Sequence, residues 1–450
     1  MKILLINPPI REWAQPNCIP LGMGYIAAVL LQEGHDVEVM DINAFRWSKE
    51  EVERRIKEAE FDIAGTSGIV TVYRYLKWLV SVLKKYHPGK KVIMGGSTAA
   101  SVPRTVMERT ATDIACIGEG EQTVRELVRA LEKKEDLSQV DGIWFRDGEG
   151  KIHANKLRDP IMDLDSLPFP AYDLFPMDIY LRNPVGAPNL NKWRSGEVVD
   201  SEVLSVNLSA TRGCPYKCIY CYHDFMGNRY RTKSPQNILQ EMEMLYQRYG
   251  VKYFHFVDDE FCMKKKFVYE FCEQVRASGH DFTWGCSGRV NLMTEDLIAT
   301  MVNAGCILIG YGIESGSQKM LDTMKKMVTV EQAKQSVKLT QKYLGWADCS
   351  FMVGTPGETR GTIQETIDFC KELSLVPEVI FFATPYPETE LYEMAKAQNK
   401  IGDEEEYIMR LGEQGEQIMV NFTDFTDEEL KTLKKEMVQE LDAWNKTDHN

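Results

Sequence analysis

The sequence predicts an α/β protein with two successive parallel sheets, the first doubly wound and the second a partial barrel. Short apolar segments alternate with helical patterns through residues 1–140 and again through residues 201–395. The chain of 450 residues is too long for one average core, which favours separate domains. A proline-rich segment with little periodicity separates the two regions, and residues 396–450 form a third, helical pattern.

The composition, with 44% hydrophobic and 27% charged residues, is that of an ordinary globular protein. A formal net charge of -14 argues against sequence-independent binding to nucleic acid or to an anionic membrane. Apolar runs such as residues 26–31 and 306–313 are far too short to span a membrane. The N-terminus enters a strand-like run directly and lacks the form of a signal peptide. The sequence therefore predicts a cytoplasmic protein without a nucleic-acid partner.

The first region predicts five parallel strands that helices cover on both faces, as in a doubly wound fold. Ser48 and Glu51 have the spacing of a capping box at the start of the second helix. Ligands of such sheets bind where the strands end, at the topological switch point. The predicted strands lie at 2–6, 36–41, 62–66, 91–94 and 113–117, and the predicted helices at 22–33, 48–59, 71–86, 103–109 and 120–132.

Small and flexible residues follow three of these strands. Glycine at such a position lets backbone amides approach a large ligand closely. The same glycines would also suit tight turns that bind nothing. The residues at this edge that are candidates for ligand binding are Ser67, Gly68, Gly95, Gly96, Ser97, Gly118, Glu119 and Gly120.

The segment between the two regions predicts a hairpin and a connector. Residues 142–146 and 151–154 flank Asp147-Gly148, a pair typical of a β-hairpin turn. Residues 183–201 contain glycine, proline and asparagine without periodicity and predict a loop at the entrance to the next domain. The predicted divisions are a first domain at 1–140, the hairpin and connector at 141–200, a second domain at 201–395 and a helical C-terminal region at 396–450.

The second region predicts six parallel strands, too few for a closed eight-stranded barrel. Ser234 and Pro235 mark the start of a helix that ends at Gly250. In the tail, Thr426 opens a capped helix that runs toward Trp444 and that we interpret as a packing or lid helix. Chemistry on such barrels gathers where the strands end. The six predicted strands lie at 203–208, 251–257, 282–286, 306–313, 347–353 and 379–384.

Three cysteines, Cys214, Cys218 and Cys221, follow the first of these strands at gaps of three and two residues. Thiolates of one short loop converge on one metal centre, either an iron–sulfur cluster or zinc. Because a closed site normally takes four protein ligands, three cysteines would leave one iron of a four-iron cluster open to a substrate. The alternative is zinc completed by His223, which lies close to Cys221 for one tetrahedral ion. The chain has eleven cysteines, and their odd number and scatter do not indicate a disulfide framework.

With Tyr220 as its aromatic residue, this loop resembles the CxxxCx-aromatic-C signature of the radical S-adenosylmethionine superfamily. The Asp-x-His-x-x-Gly motif, which supplies a histidine ligand to cobalt in many cobalamin-binding domains, is absent. The sequence therefore does not identify the lower axial ligand of cobalt. That absence is common among the enzymes that this chain resembles. The first region resembles the Rossmann-like cobalamin-binding domain of these enzymes at residues 20–27, 34–37, 95–96 and 117–121.

The resemblance, which covers about residues 1–395, implies that the ends of the later strands bind S-adenosylmethionine. Asp258, Asp259 and Glu260 follow the second strand and offer carboxylates to the ammonium group of this ligand. The superfamily commonly has Gly-Gly-Glu at this place, so the sequence does not decide which carboxylate acts. Taken alone, the acidic triplet would also suit a solvated turn.

Further contacts follow the third, fourth and fifth strands. Arg289 is suited to bidentate binding of a carboxylate. Glu314 is suited to accept ribose hydroxyls, Ser315 is a further candidate for cofactor binding, and the turn with Gly354 and Pro356 is suited to flank adenine. Each of these segments taken singly would suit an ordinary turn, and it is their order after the cysteine loop that resembles the superfamily.

The resemblance implies three cofactors: a 4Fe-4S cluster, S-adenosylmethionine and cobalamin. In such enzymes a 5′-deoxyadenosyl radical removes hydrogen from an inert carbon, and cobalamin delivers a methyl group. We therefore expect a methyltransferase that acts on an unactivated carbon of a small molecule and uses an external flavodoxin-like or ferredoxin-like electron donor. Two alternatives stay open: an oxidative cyclase or rearrangement enzyme without methyl transfer, and a non-catalytic iron–sulfur or zinc module. The substrate and the catalytic acid or base residues are not readable from the sequence.

Overall fold

The structure is a computed structural model. It describes residues 1–10, 16–183, 203–222, 228–377, 379–412 and 417–448. Two α/β units joined by a connector form the molecule, which confirms the predicted fold class. The loop predicted at 183–201 lies outside the described residues except for Asn183, as does His223. Within the described residues, no helix has the length and apolar character needed to cross a membrane.

The first unit contains a seven-stranded sheet. Its strands are β1 (Lys2–Asn7), β2 (Asp36–Asp41), β3 (Ile63–Ser67), β4 (Lys91–Gly95), β5 (Ile114–Cys116), β6 (Ile143–Arg146) and β7 (Ile152–Ala154). They lie in the order β2-β1-β3-β4-β5-β6-β7, and the first five are parallel. The strand order reverses at β1, which makes the gap between β1 and β3 the switch point. The predicted hairpin is β6 and β7, and it pairs antiparallel with β5.

Helices cover both faces of this sheet because successive side chains of a strand point to opposite faces. Ile3 and Leu5 of β1 belong to one hydrophobic cluster, and Leu4 and Ile6 belong to another on the opposite face. The helices of the unit are α1 (Leu21–Gln32), α2 (Ile42–Phe45), α3 (Lys49–Glu58), α4 (Tyr73–Tyr86), α5 (Gly96–Ser101), α6 (Pro103–Arg109) and α7 (Gly120–Lys133). Helices α1 and α7 share the first cluster, and α3 and α4 share the second.

The connector lies along the first unit and ends in helix α8 (Met177–Leu181). Ala171 N donates to Gly24 O at 3.0 Å, and a Cβ on Gly24 would lie 2.8 Å from Pro170 Cβ. Glycine at position 24 therefore allows the connector to pack closely against α1. At the far end, Tyr180 Oη donates to Asp41 Oδ2 at 2.8 Å.

The second unit contains six parallel strands in the order β15-β14-β13-β12-β11-β8, the predicted partial barrel. These strands are β8 (Ser205–Leu208), β11 (Tyr253–Phe256), β12 (Thr283–Ser287), β13 (Cys306–Glu314), β14 (Asp348–Val353) and β15 (Val379–Phe382). A short antiparallel ribbon of β9 (Thr211–Arg212) and β10 (Arg231–Thr232) follows β8. The ribbon places Arg212 and Arg231 side by side near the first unit.

Nine helices are described in the second unit and the tail. They are α9 (Pro235–Tyr249), α10 (Lys265–Ala277), α11 (Glu295–Asn303), α12 (Gln318–Thr323), α13 (Val330–Leu344), α14 (Arg360–Glu372), α15 (Glu390–Ala397), α16 (Glu404–Arg410) and α17 (Asp427–Asp448). Helix α17 packs on α14. Helix α16 instead reaches the first unit, where Tyr73 Oη donates to Glu405 Oε1 at 2.7 Å. The tail therefore contacts both units.

Two of the predicted helix starts are confirmed, and a third is formed only in part. Ser234 caps α9, and Gly250 ends that helix in the left-handed conformation. Ser48 Oγ accepts a hydrogen bond from Glu51 N at 3.3 Å, as expected. The carboxylate of Glu51 pairs with Arg54, so the reciprocal half of the predicted capping box is replaced by a salt bridge. Thr426 and Glu429 make both halves of a box at the start of α17.

Trp284 is the largest fully buried side chain of the second core, and it gives a test of the packing. Its ring centre lies 5.3 Å from that of Phe271, and its Nε1 donates to Ala304 O at 2.8 Å. We expect Trp284→Ala to lower the free energy of unfolding by about 3–5 kcal/mol and Trp284→Phe by about 1–3 kcal/mol, because the second change mainly leaves a buried carbonyl without its donor. Thermal unfolding followed by circular dichroism measures both changes, with the half-buried Trp346→Phe as control. Equal losses in the two Trp284 variants would contradict this account.

Candidate active site

The cysteine loop leaves β8 at its carboxyl end and is held by backbone hydrogen bonds. Ile219 N donates to Met324 O at 3.1 Å, and Leu391 N donates to Ile219 O at 2.8 Å. Cys214 is half-buried, Cys218 is buried and Cys221 is exposed. Burial raises the pKa of the Cys214 thiol, and the nearby charges of Asp259 and Glu260 raise this pKa further. Ligation by a metal centre would supply the positive charge that such thiolates need.

The donor set of the loop fits an iron–sulfur cluster. Its three thiols can each bind a different iron of one cluster, whereas a closed cluster takes four protein ligands. Three thiols on one loop therefore fit a cluster with one iron left open. His223, the fourth ligand of the zinc alternative, lies outside the described residues.

Asp258, one of the three carboxylate candidates for the ammonium group, anchors the cysteine loop. Its Oδ1 accepts hydrogen bonds from Ala210 N at 3.0 Å, Thr211 N at 2.9 Å and Ser209 Oγ at 3.0 Å. Burial raises the pKa of Asp258 to about 7, and the backbone N–H groups oppose that rise. This carboxylate is occupied by the chain itself. No local sequence pattern indicates this contact, because the acceptor and its donors lie almost fifty residues apart.

The other two carboxylates have different surroundings. Asp259 is exposed, and its negative charge raises the pKa of the Cys214 thiol. Glu260 is buried, and its Oε1 accepts a hydrogen bond from Cys262 N at 3.1 Å. Burial raises the pKa of Glu260 to about 7, while the positive charges of Arg289 and Lys326 lower it. Glu260 therefore lies within electrostatic reach of two buried cations.

Arg289 is buried against the cysteine loop. Its Cζ lies 3.6 Å from the centre of the Tyr216 ring, which stands between Cys214 and Cys218 in the chain. Its Nε and Nη2 are buried and have no hydrogen-bond partner within the described residues. Buried donors normally have acceptors, and a guanidinium prefers a carboxylate. The two unpaired nitrogens fit an anionic ligand group beside the loop.

Tyr220 and Glu314 meet, and a lysine that the sequence did not single out joins them. Tyr220 Oη donates to Glu314 Oε1 at 3.0 Å, and Lys326 Nζ donates to the same oxygen at 2.9 Å. Glu314 has φ 69°, a left-handed conformation that non-glycine residues rarely adopt and that clusters at functional sites. A Cβ on Gly312 would lie 2.5 Å from Glu314 Oε1, so this arrangement requires glycine there. In the sequence Lys326 looks like one of two exposed turn lysines, which explains why it was missed.

Ser315, one of the predicted cofactor-binding residues, packs against helix α14. Its Oγ lies 3.0 Å from Thr366 Oγ1 and accepts a hydrogen bond from Ser317 N at 3.1 Å. A Cβ on Gly316 would lie 2.6 Å from Phe369 Cβ, so the chain turns here in close contact with α14. Ser315 therefore holds the end of β13 in place.

The turn after β14 is closed by its own glutamate. The Glu358 carboxylate accepts a hydrogen bond from Gly354 N, and Gly354 has φ 88°. A Cβ on Gly354 would lie 3.1 Å from Leu430 Cδ2, so α17 supports this turn from behind. Pro356 lies half-buried in the same turn. The tail helix thus contributes to the shape of the predicted adenine site.

A cavity of about 210 Å³ lies at the switch point of the first unit and continues between the sheet and helices α1 and α7. A Cβ on Gly96 would lie 2.9 Å from the backbone of Gly68, and Gly96 has φ 76°, so glycine is required where these two loops meet. Of the predicted residues, those that line the cavity are Ser67, Gly95, Gly96, Gly118, Glu119 and Gly120, whereas Gly68 and Ser97 lie outside its lining. The deeper walls are apolar and include Ile3, Leu30 and Val128. This cavity fits an apolar part of a large ligand.

The comparisons with known proteins agree with this geometry. Residues 208–370 match the family described as the radical SAM superfamily, and residues 10–128 match the B12 binding domain. The cluster loop lies within the first match and most of the cavity within the second. The two matches and the site together define a radical S-adenosylmethionine protein with an N-terminal cobalamin-binding domain.

Individual relatives support the same class. The chain is 33% identical to an uncharacterised methyltransferase of Pyrococcus horikoshii over 89% of this chain and 84% of the relative. It is 27% identical to an anaerobic magnesium-protoporphyrin IX monomethyl ester cyclase of Rubrivivax gelatinosus, over 94% of this chain and 77% of that one. The fold is similar to that of the radical S-adenosylmethionine methyltransferase TsrM from Kitasatospora setae, with a TM-score of 0.69 at 20% identity, covering 88% and 75% of the two chains.

The chain therefore belongs to the radical S-adenosylmethionine superfamily, in the group that carries a B12 binding domain. The resemblance found in the sequence is confirmed. Its cofactors are a 4Fe-4S cluster, S-adenosylmethionine and cobalamin.

The anchoring role of Asp258 predicts unequal effects of neighbouring substitutions. Asp258→Ala removes the acceptor of two buried N–H groups, at a cost of about 1–3 kcal/mol each, and frees the start of the cysteine loop. We expect this variant to retain much less iron than the wild-type protein after anaerobic reconstitution. The exposed Asp259→Asn is the matched control and keeps its iron. Iron analysis with visible absorbance measures both, and an equal loss from the two variants would show that Asp258 has no special role.

Glu358 predicts a pH dependence of stability. Burial raises the pKa of Glu358 to about 7, above the ordinary value of 4.5. Between about pH 4.5 and pH 7 the folded state therefore holds a proton that the unfolded state has released. The contribution of this proton to the free energy of unfolding is complete below about pH 4.5 and is lost as the pH rises through 7. The difference corresponds to roughly 3 kcal/mol.

Glu358→Gln removes this proton linkage. We expect the free energy of unfolding of the wild-type protein to fall more steeply than that of the variant between about pH 5 and pH 8. Denaturant titrations of the two proteins measure the difference, and the exposed Glu331→Gln is the control. Parallel curves for wild type and Glu358→Gln would contradict the assignment.

Proposed function

We propose that the protein is a cobalamin-dependent methyltransferase that methylates an unactivated carbon of a small molecule. One observation carries the proposal: Ser209 and Arg212, which shortly precede Cys214, line the cavity of the cobalamin-binding domain. The two cofactor sites therefore border each other. A substrate held at this border would reach both of them.

The proposed contacts of S-adenosylmethionine follow from the charges already described. Arg289 binds the carboxylate of the ligand, because two of its nitrogens are buried and unpaired. Glu260 binds the ammonium group, because it is buried beside Arg289 while Asp258 is occupied by the loop. Glu314, oriented by Lys326, binds the ribose, and the turn at Gly354 flanks adenine.

The remaining contacts are those of the cluster and cobalamin. Cys214, Cys218 and Cys221 bind three irons, and the loop edge from Ser67 to Gly120 borders the cobalamin. When bound, the cluster with S-adenosylmethionine supplies a radical that removes hydrogen from carbon, and cobalamin supplies the methyl group. The chain's own part is to bind and orient these groups and to exclude water from the border between them.

We further propose an external electron donor of the flavodoxin or ferredoxin type. The cluster needs one electron before it acts, and the exposed Cys221 lies where such a donor has access. We also propose a cytoplasmic location, because the odd number and the scatter of the eleven cysteines do not indicate a disulfide framework.

A second candidate reaction, oxidative cyclisation without methyl transfer, is favoured by the similarity to the porphyrin-ring cyclase. The same residues would hold the cofactors in both reactions. The two differ in the fate of S-adenosylmethionine, because methyl transfer consumes a second molecule of it to restore methylcobalamin.

Product analysis tests the proposal. The anaerobically reconstituted protein is incubated with hydroxocobalamin, a reductant, trideuteromethyl S-adenosylmethionine and a small-molecule extract of its source cells. We expect 5′-deoxyadenosine and S-adenosylhomocysteine in equal amounts, with one labelled methyl group in a new product found by mass spectrometry. Cys218→Ala abolishes both nucleoside products, while Cys18→Ala, which changes an exposed cysteine outside the loop, keeps them.

Each other outcome has a definite meaning. Formation of 5′-deoxyadenosine without S-adenosylhomocysteine and without label in any product would favour the cyclase reaction. Zinc in place of iron, or a cluster whose spectrum does not respond to S-adenosylmethionine, would favour the non-catalytic module and overturn the proposal.

A further inference from the structure

Four charged side chains form a buried network where the two units meet. Glu119 and Glu121 come from the start of α7, and Arg212 and Arg231 come from the ribbon β9–β10. Arg212 Nη1 lies 3.0 Å from Glu119 Oε1, and Arg212 Nη2 lies 2.6 Å from Glu121 Oε1. Arg231 Nη1 lies 2.8 Å from both oxygens of Glu119. No side chain in this network is more than 6% exposed.

The network has a geometric role more than an energetic one. Buried ion pairs lose about as much hydration energy as they gain in electrostatic attraction, so they add little net stability. Their charges must nevertheless meet, and this requirement restricts how the two surfaces fit together. Arg212 uses two nitrogens on two different carboxylates, which sets the direction of its side chain as well as its position. Arg231 also donates to Ile161 O at 2.7 Å, so the connector shares the arrangement.

Both ends of the network belong to a cofactor site. Glu119 and Glu121 flank Gly120, and all three line the cobalamin cavity. Arg212 lines the same cavity and lies two residues before Cys214, the first cysteine of the cluster loop. A displacement of the cavity edge therefore acts directly on the start of the cysteine loop.

A second pair of hydrogen bonds between the units is made by β8, the strand that precedes the ribbon. Asn207 of β8 receives a hydrogen bond at Oδ1 from Ile19 N at 2.8 Å and donates from Nδ2 to Ile19 O at 3.0 Å. Ile19 lies just before α1, whose residues Leu21 and Tyr25 line the cavity. The strand that leads into the cysteine loop is thus tied to two sides of the cavity.

We propose that Arg212 is a positioning residue that couples the cobalamin site to the cluster loop. A ligand that binds the cavity with Glu119 and Glu121 in this arrangement stabilises their pairing with Arg212, and Arg212 holds the loop in the form that binds S-adenosylmethionine. The affinities for hydroxocobalamin and for S-adenosylmethionine are then linked, each ligand strengthening the other by the same factor. This inference rests on the proposed function, since it assumes that both cofactors bind.

Equilibrium binding measures this coupling without any turnover. The dissociation constant of S-adenosylmethionine is determined on cluster-loaded protein with and without saturating hydroxocobalamin, and the reciprocal measurement is made for hydroxocobalamin. The coupling ratio is the dissociation constant of one ligand without the other divided by its dissociation constant with the other. We expect this ratio to be about fivefold or more for both ligands of the wild-type protein. In Arg212→Gln the ratio falls to nearly one, although each ligand still binds.

Three further variants keep the test decisive. Glu121→Gln removes one partner of Arg212 while Arg231 still pairs with Glu119, so it replaces Arg212→Gln if that variant does not fold. Arg212→Lys keeps the charge but reaches one carboxylate in place of two, and it shows a reduced ratio. Arg109→Gln breaks an exposed pair with Asp403 elsewhere between the first unit and the tail and keeps the wild-type ratio.

The outcomes separate this inference from the proposed function. If the wild-type protein binds both ligands with a ratio of one, or if Arg212→Gln and Glu121→Gln keep the wild-type ratio, the coupling role is wrong while the proposed function stands. If the wild-type protein binds neither ligand, the proposed function itself fails.

Discussion

The active site depends on one buried carboxylate that holds the start of the cysteine loop. Asp258 accepts hydrogen bonds from two backbone N–H groups and one hydroxyl of residues 209–211, which lead into the ribbon and shortly precede the cysteines. A loop with three metal ligands must present its thiols in one arrangement. Hydrogen bonds to an acceptor in the neighbouring strand end supply the constraint. The constraint thus holds the start of the loop whose three cysteines are the proposed ligands of the cluster.

Three adjacent carboxyl groups illustrate how environment assigns function. Asp258 is occupied by backbone donors, Asp259 is exposed near the thiols, and Glu260 is buried beside two cations. The same side-chain chemistry thus yields an anchor, a surface charge and a candidate ligand for an ammonium group. Only burial and neighbouring charge distinguish the three, and both properties come from elements far away in the chain.

Much of the candidate site was predictable because it lies at strand ends. Apolar periodicity located all eleven predicted parallel strands of the two sheets, and the cysteine spacing indicated the cluster. Arg289 and Glu314 lie near the loop as expected. Lys326 and the anchoring role of Asp258 were not predictable, since both depend on which distant segments meet. The contact of the Ser315 hydroxyl with Thr366 on α14 was not predictable for the same reason.

The sequence by itself determined the order of the elements, the cysteine loop proposed to bind the cluster, and the family of cofactors, because these depend on local spacing and on residue type. Only the tertiary structure decided how the two units meet. Glu119, which reads in the sequence as part of a glycine-rich cofactor turn, pairs with Arg212 and Arg231 across the interface. Such partners lie about a hundred residues apart, and no local pattern records them. Long-range charge pairing is set by packing, and packing exists only after the chain has folded.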